Sequence, residues 1–143
     1  MKKFVYLASF CLLGLLATAS PGGTVNVKLH YTGSGTVDGG HKIFVFLFNS
    51  PDFVNGGSAM PVAVKAATSK DETVTLSNVA DTTVYAAASY DPTGNYDGQS
   101  GPPPSGSSLG MYSKTPGTPS PINVPAGKTA SASITFDDSH KMP

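Results

Sequence analysis

The stretch HKIFVFLFNS, residues 41–50, decides the fold. Both of its alternating sets of positions are apolar, with Ile43, Val45 and Leu47 on one side and Phe44, Phe46 and Phe48 on the other. A strand with two apolar faces is typical of one that is covered on both sides. We expect the core of a two-sheet sandwich on one face and a loop or a partner on the other.

Short β-branched or aromatic runs bounded by Gly, Pro, Asn and Asp surround this strand and predict further strands. Residues 24–31, TVNVKLHY, alternate apolar and polar side chains, which indicates a half-buried strand. Further strands are predicted over residues 62–68, 72–79, 81–90, 121–124 and 129–136. About seven strands and no helix predict an all-β fold, a single antiparallel two-sheet sandwich that is immunoglobulin-like or transthyretin-like.

The first nineteen residues have the pattern of a secretory signal peptide. Lys2 and Lys3 precede an apolar run that is too short for an ordinary membrane span, and Ala17-Thr18-Ala19 forms a small-x-small cleavage site. We therefore expect export to the periplasm or beyond, with residues 20–143 as one β-sandwich domain and no membrane span in the mature chain. A lipid anchor on Cys11 is the alternative, but the bulky Phe10 before it is unlike a lipoprotein cleavage site.

The composition of the mature chain excludes several function classes. Cys11 is the only cysteine, so a mature chain from residue 20 has no disulfide, thiolate nucleophile or cysteine-bound metal. Without Lys2 and Lys3, seven of the nine basic residues remain against nine acidic ones, and none of the seven is Arg. This balance argues against nucleic-acid binding, which needs a basic face.

The order of motifs resembles an exported bacterial family catalogued as domain of unknown function 2141. The segments that carry the resemblance are FLFNSPDFVNGG, VYAAASYDPTGNYDG and GPPPSGSSLGMYS, which start at Phe46, Val84 and Gly101. The chain departs from the family pattern at Tyr90-Asp91-Pro92-Thr93, where members have a His-Asp-x-Asn step. The resemblance implies a transthyretin-like or carboxypeptidase-regulatory-like sandwich and no assigned activity.

The long loop over residues 91–115 is the part of the chain where function can be argued. Such a length without regular structure indicates a functional loop or disorder. Pro102-Pro103-Pro104 stiffens it, so we expect one long ordered loop packed against the end of the sandwich. As its possible contact surface we single out four residues, Tyr90, Tyr96, Pro103 and Tyr112.

Calcium binding is one hypothesis for this loop. Asp91, Asn95 and Asp97 are closely spaced oxygen ligands, and Gly94 and Gly98 permit sharp turns. The spacing is not that of an EF-hand. The alternative is turn chemistry, in which the same side chains accept hydrogen bonds from their own backbone.

Hydrolysis is a remote hypothesis. Residues 106–110, GSSLG, fit G-x-S-x-G around Ser108, and Asp137 or Asp138 and His140 follow in hydrolase order. That motif requires a strand-turn-helix elbow, which a β protein does not offer. We therefore predict no catalytic residues and no enzyme.

Two further hypotheses concern metals and partners. Transition-metal binding would use His30, His41 and His140 with Met60, Met111 and Met142, but no two histidines have ligand-like local spacing. The three Phe side chains of residues 41–50 would form a docking patch if uncovered, although a place in the core is the simpler expectation.

The sequence thus predicts a non-enzymatic binding or structural module at the cell envelope that uses loop 91–115 and no cofactor. Its partner would be an envelope protein, a peptide or a glycan. A calcium-binding sandwich is the alternative, and a small serine hydrolase is the remote one.

Overall fold

The computed structural model describes residues 20–54 and 57–143, so the predicted signal peptide lies outside the described residues. All regular structure within them is β, and the prediction of an all-β fold is confirmed. The strands are β1 (Gly23–Tyr31), β2 (Ile43–Phe48), β3 (Pro61–Ala67), β4 (Asp71–Val79), β5 (Thr83–Tyr90), β6 (Ser108–Met111), β7 (Ile122–Asn123) and β8 (Thr129–Phe136). Across this described part of the chain there is no helix of the length and hydropathy that crossing a membrane requires.

Two sheets pack face to face. The smaller sheet has the order β4-β1-β8, and the larger has the order β3-β2-β5-β6, with β7 also paired to β5. The apolar side chains of β1 are buried, alternate with half-buried or exposed ones, and point into the space between the sheets. The two-sheet arrangement predicted from the sequence is confirmed.

The sequence predicts a purely antiparallel sandwich, but one pair of neighbouring strands is parallel. β1 and β8 pair in parallel, from Thr24 opposite Thr129 to Tyr31 opposite Phe136. Hairpin connections force antiparallel pairing only between strands that follow one another closely. Along the sequence, all strands of the larger sheet lie between β1 and β8. The relative direction of the two strands is therefore set by packing and cannot be read from a turn.

β2 is buried along its whole length, which confirms the expectation drawn from its two apolar faces. Ile43, Val45 and Leu47 belong to the main core between the sheets. Phe44, Phe46 and Phe48 lie on the outer face of the larger sheet, where Phe53 and Tyr96 cover them; these five residues are the outer aromatic cluster. Burial of each large apolar side chain contributes about 1.5–3 kcal/mol, so this outer face is a second, smaller core.

The strand β6 lies inside the segment predicted as one long loop, so the strands number eight among the described residues rather than about seven. Its sequence, SLGM, is short and has no β-branched residue. Its position depends on pairing with the end of β5 and on close approach to β8. A Cβ on Gly110 would lie 2.6 Å from the Cβ of Phe136, so glycine is required where the two sheets meet.

Candidate functional site

With β6 removed from the predicted loop, residues 91–107 form the connection between β5 and β6, which we call the capping loop. It begins at Asp91, directly after β5, and Asp91 is only 2% exposed. The Asp91 carboxylate accepts hydrogen bonds from the backbone N–H groups of Thr93 (2.8 Å), Asn95 (3.0 Å) and Tyr96 (3.0 Å). The Thr93 hydroxyl also donates to it at 2.7 Å. One buried carboxylate therefore folds the first turn of the loop around itself.

Asp91 is charged at neutral pH in spite of its burial. Desolvation raises the pKa of a carboxyl group, but the hydrogen bonds from Thr93, Tyr96 and Asn95 outweigh it and hold the pKa of Asp91 below its ordinary value. A buried charge is tolerated when hydrogen bonds satisfy it. Asp91 thus acts as a fixed anion at the base of the loop.

Asp97 organises a second, exposed turn. Its carboxylate accepts from the backbone N–H groups of Gln99 and Ser100, both at 2.8 Å, and from the Ser100 hydroxyl at 2.6 Å. These bonds, the Ser100 hydroxyl first, lower the pKa of Asp97. Asn95 is exposed and contributes its backbone N–H to Asp91.

Two of the three predicted calcium ligands, Asp91 and Asp97, therefore use their carboxylates to bind the backbone of their own loop. A cation would have to compete with the N–H donors for the carboxylates of Asp91 and Asp97. Within residues 20–54 and 57–143, no three His, Cys, Asp or Glu side chains are grouped so that they could hold a metal ion. Calcium binding by Asp91, Asn95 and Asp97 remains a prediction.

The histidines singled out from the sequence lie in separate places. His30 contacts Asp71 on the outer face of the smaller sheet, and His41 contacts Asp38 at 3.1 Å in the loop after β1. His140 lies next to the Ser139 hydroxyl at 3.0 Å in the C-terminal tail. Each histidine has its own local partner.

The sequence predicts packing of the loop against the end of the sandwich, but around Tyr96 and Gly98 the capping loop lies on the outer face of the larger sheet. The Tyr96 ring packs edge-on against Phe44, with ring centroids 5.3 Å apart, and lies 6.4 Å from Phe46. Gly98 has a φ of +77°, and a Cβ there would lie 2.4 Å from the Phe44 ring. The loop thus approaches so closely because residue 98 has no side chain.

The far half of the loop is held by the C-terminal tail. Gly106 donates its N–H to the Met142 carbonyl, and Met142 donates to the Ser107 carbonyl, both at 2.8 Å. Between these anchored ends the side chains of Pro102 and Pro104 are exposed, and Pro103 is half-buried. Solvent therefore reaches the proline segment, as it also reaches the turn around Asp97.

The tyrosines proposed as contact surface have different environments. Tyr90 belongs to the main core, is 3% exposed and donates its hydroxyl to the Thr36 carbonyl at 2.8 Å, so it presents no surface to a partner. Tyr112 is half-buried against the main core. Tyr96 is half-buried on the outer aromatic cluster and donates its hydroxyl to the Gly101 carbonyl at 2.8 Å. Of the four residues, Pro103 and Tyr96 lie in the capping loop itself.

A second polar cluster, which the sequence did not indicate, lies where β1 and β8 end. The Asp138 carboxylate accepts hydrogen bonds from the hydroxyls of Tyr31 and Ser108 (2.7 Å) and from the N–H and hydroxyl of Ser34 (2.9 and 3.0 Å). The Tyr31 hydroxyl is the largest of the causes that hold the pKa of Asp138 far below its usual range. Burial and the bond to Asp138 raise the pKa of Tyr31 to about 12.

This cluster brings together Ser108 and Asp138, two residues of the hydrolase hypothesis, but in direct contact. A serine nucleophile needs a base that takes its proton, and in the triad that base is a histidine. His140 contacts Ser139, and the low pKa of Asp138 makes its carboxylate a poor proton acceptor. Ser108 also begins β6 and does not lie on a strand-turn-helix elbow. The contact joins β6 to β1 through a shared anion.

Two buried serine hydroxyls near the capping loop lack hydrogen-bond partners within the described part of the chain. The Ser89 and Ser107 Oγ atoms are buried and have no hydrogen-bond partner among the described residues. Ser89 occupies the outer-face row of β5, opposite Phe44. Ser107 and Ser108 therefore form a contrasting pair of neighbours, one without a partner and one bound to Asp138.

Comparison with known proteins returned no match. The chain matches no protein-family model, no curated protein and no solved structure. The functional argument for this chain therefore depends on the geometry of the capping loop and the two carboxylates.

Proposed function

We propose that this chain is a non-enzymatic, exported β-sandwich module that binds a partner at the cell envelope through its capping loop. The observation that carries the proposal is an exposed proline segment whose two ends are fixed by hydrogen bonds, the first to Tyr96 of the same loop and the second to Met142 of the C-terminal tail. Binding sites are commonly placed on loops that a rigid scaffold holds in position.

The energetic reason is preorganisation. A loop that is disordered before binding loses conformational entropy on association, which weakens the complex. Here Asp91 fixes the first turn, and Tyr96 fixes the next residues on the outer aromatic cluster. The loop thus loses its conformational entropy when the domain folds and not when the partner binds, so binding is not weakened by ordering of the loop.

The finer assignment of the fold belongs to this proposal. A sandwich with an immunoglobulin-like or transthyretin-like arrangement suits a role in binding or structure, and the resemblance to the exported family of unknown function agrees with it. The signal-peptide pattern of residues 1–19 supports placing the module in the periplasm or outside the cell. An envelope protein, a peptide or a glycan remains the class of partner.

Capture from an envelope extract tests the proposal. The full chain serves as bait beside an Asp91→Ala variant, whose capping loop loses its buried acceptor, and beside Asp137→Ala as a matched control. Asp137 is an exposed carboxylate whose sole donor among the described residues is Ser139. We expect a specific partner with the wild type and the control and at least ~10-fold less with Asp91→Ala, about 1.4 kcal/mol of binding energy. Equal recovery with all three baits, or no specific recovery, contradicts the proposal.

A further inference from the structure

The triproline segment of the capping loop has the form of a displayed polyproline ligand. Pro102, Pro103 and Pro104 are consecutive, and the described part of the chain contains no cis peptide bond. Each proline fixes its own φ near −65° and restricts the residue before it to extended conformations. Pro102 and Pro103 each precede a proline, so they are held in the geometry of the left-handed polyproline II helix, which has about three residues per turn.

Both ends of this segment are clamped. The Gly101 carbonyl accepts from the Tyr96 hydroxyl at 2.8 Å, and the Pro104 carbonyl accepts from the Ser107 N–H at 3.1 Å. Gly101 and Gly106 have φ values of +82° and +85°, which ends the extended geometry on either side. The triproline segment, which we call the ridge, therefore has a fixed length and a fixed orientation on the sandwich.

The groups that polyproline recognition uses are free in this segment. The rings of Pro102 and Pro104 are exposed. No donor within residues 20–54 and 57–143 bonds the carbonyl oxygens of Pro102 or Pro103. Partners of polyproline helices present aromatic-lined grooves that pack on the rings and have side-chain donors for such carbonyls. The stiff ligand loses little entropy when it binds.

We propose that the partner of the capping loop is a protein with an aromatic-lined groove that takes the Pro102–Pro103–Pro104 ridge as a polyproline helix. This inference deepens the proposed function and depends on it. A second copy of this chain is a poor partner, because its outer aromatic cluster is already covered by Phe53 and Tyr96 and offers no open groove. The groove belongs to another protein.

A matched pair of proline variants tests this inference. In Pro102→Ala/Pro103→Ala/Pro104→Ala the ridge loses its rings and its stiffness, while Asp91 and Tyr96 remain. In Pro116→Ala/Pro119→Ala the changes fall in the β6–β7 connection, another segment in which prolines alternate with Gly and Thr. Thermal melting and β-type circular dichroism show that both variants are folded, and the same envelope extract is used for capture with the full chain.

We expect the triple variant to bind the captured protein at least ~10-fold more weakly than the wild type and the Pro116/Pro119 variant to bind unchanged. Soluble poly-L-proline should compete for the captured protein, and polyglycine should not. Capture that the triple variant retains and poly-L-proline leaves unaffected, but Asp91→Ala abolishes, would overturn the polyproline inference and leave the proposed function standing. Capture of nothing specific by the wild type would overturn both.

Discussion

Asp91 and Asp138 perform the same task over very different distances. Each follows a strand of the sandwich, and each carboxylate accepts hydrogen bonds from both N–H and hydroxyl donors. The donors to Asp91 lie two to five residues further along the chain. The donors to Asp138 lie 30 to 107 residues away, in β1, in the loop after it and in β6.

The difference separates local shape from global assembly. Asp91 folds the turn that begins the capping loop, so its loss affects that loop first. Asp138 joins the smaller sheet to β6 of the larger one, so its loss affects the packing of the two sheets. Carboxylates of equal chemistry therefore contribute to different properties, the shape of one loop in the case of Asp91 and the packing of the two sheets in the case of Asp138.

The largest effect is expected for Asp138→Ala. The Tyr31 and Ser108 hydroxyls and the Ser34 N–H lose a charged acceptor, and hydrogen bonds to charged groups contribute about 1.5–3 kcal/mol. We expect the free energy of unfolding in urea to fall by about 2–3 kcal/mol. Asp137→Ala is the matched control, and it should leave the urea midpoint near that of the wild type. Equal midpoints for wild type and Asp138→Ala would refute the joining role.

The acid dependence of this difference has a definite sign. The pKa of Asp138 is lowered in the folded state, so its stabilising contribution is present above the ordinary carboxyl pKa of about 3.9 and is lost as the pH falls toward the folded-state value. The gap between wild type and Asp138→Ala should therefore be widest at neutral pH and should narrow in acid.

The next effect is alkaline and comes from Tyr31. Its folded-state pKa of about 12 is above the ordinary value of 10.0, so the folded chain holds this proton more tightly than the unfolded chain does. The resulting stability is complete below pH 10 and is lost as the pH rises toward 12. Between pH 9 and pH 11.5 we expect the wild type to lose about 1–2 kcal/mol more than Tyr31→Phe loses. Tyr85→Phe, which keeps Tyr31, should lose as much as the wild type.

Asp91 and Asp138 also show which hydrogen bonds can be predicted from the sequence and which cannot. The sequence DPTGNYDG marks local turn chemistry, and Asp91 and Asp97 do accept from their own backbone. The sequence around Asp138 does not predict its hydrogen bond with Tyr31, which is 107 residues earlier. Short-range patterns specify short-range bonds, and a long-range cluster is visible only once the strands are in place.

The strands divide in the same way. The alternation of residues 24–31 and the two apolar faces of β2 are properties of the sequence alone, and both predictions are confirmed. β6 has no such pattern, because Ser108 bonds Asp138, just after β8, and Gly110 lies against Phe136 at the end of β8. The sequence analysis places Tyr90 in the contact surface, yet its ring packs on Tyr31 in the main core, with centroids 4.9 Å apart.

A smaller effect separates the neighbours Ser107 and Ser108. Ser108→Ala removes a hydrogen bond to a charged acceptor and should cost about 1–2 kcal/mol. Ser107→Ala removes a buried hydroxyl that has no partner among the described residues, so the unfolding free energy should stay equal or rise slightly. Urea melts of the two variants measure the difference, and a larger loss for Ser107→Ala would contradict it. Should any hydrolytic activity be found, Ser108→Ala should leave it unchanged.

The smallest expected effect is that of calcium. Because the carboxylates of Asp91 and Asp97 already accept backbone N–H donors, we expect the melting temperature to be the same in EDTA and in millimolar calcium. A site with a dissociation constant of about 0.1–1 mM, typical of extracellular modules, would add roughly 1–2 kcal/mol at 5 mM calcium. A rise of several degrees that Asp97→Ala abolishes would favour the calcium-binding alternative.

The central claim is that the sandwich holds the capping loop in one shape through Asp91, and amide hydrogen exchange tests it most directly. In the wild type we expect the N–H groups of Asn95 and Tyr96 to exchange much more slowly than an unstructured chain, since both donate to a buried carboxylate. In Asp91→Ala they should exchange rapidly while the amides of β1 stay protected, and in Asp97→Ala they should remain slow. Exchange of Asn95 and Tyr96 in the wild type at the rate of an unstructured chain would contradict the account.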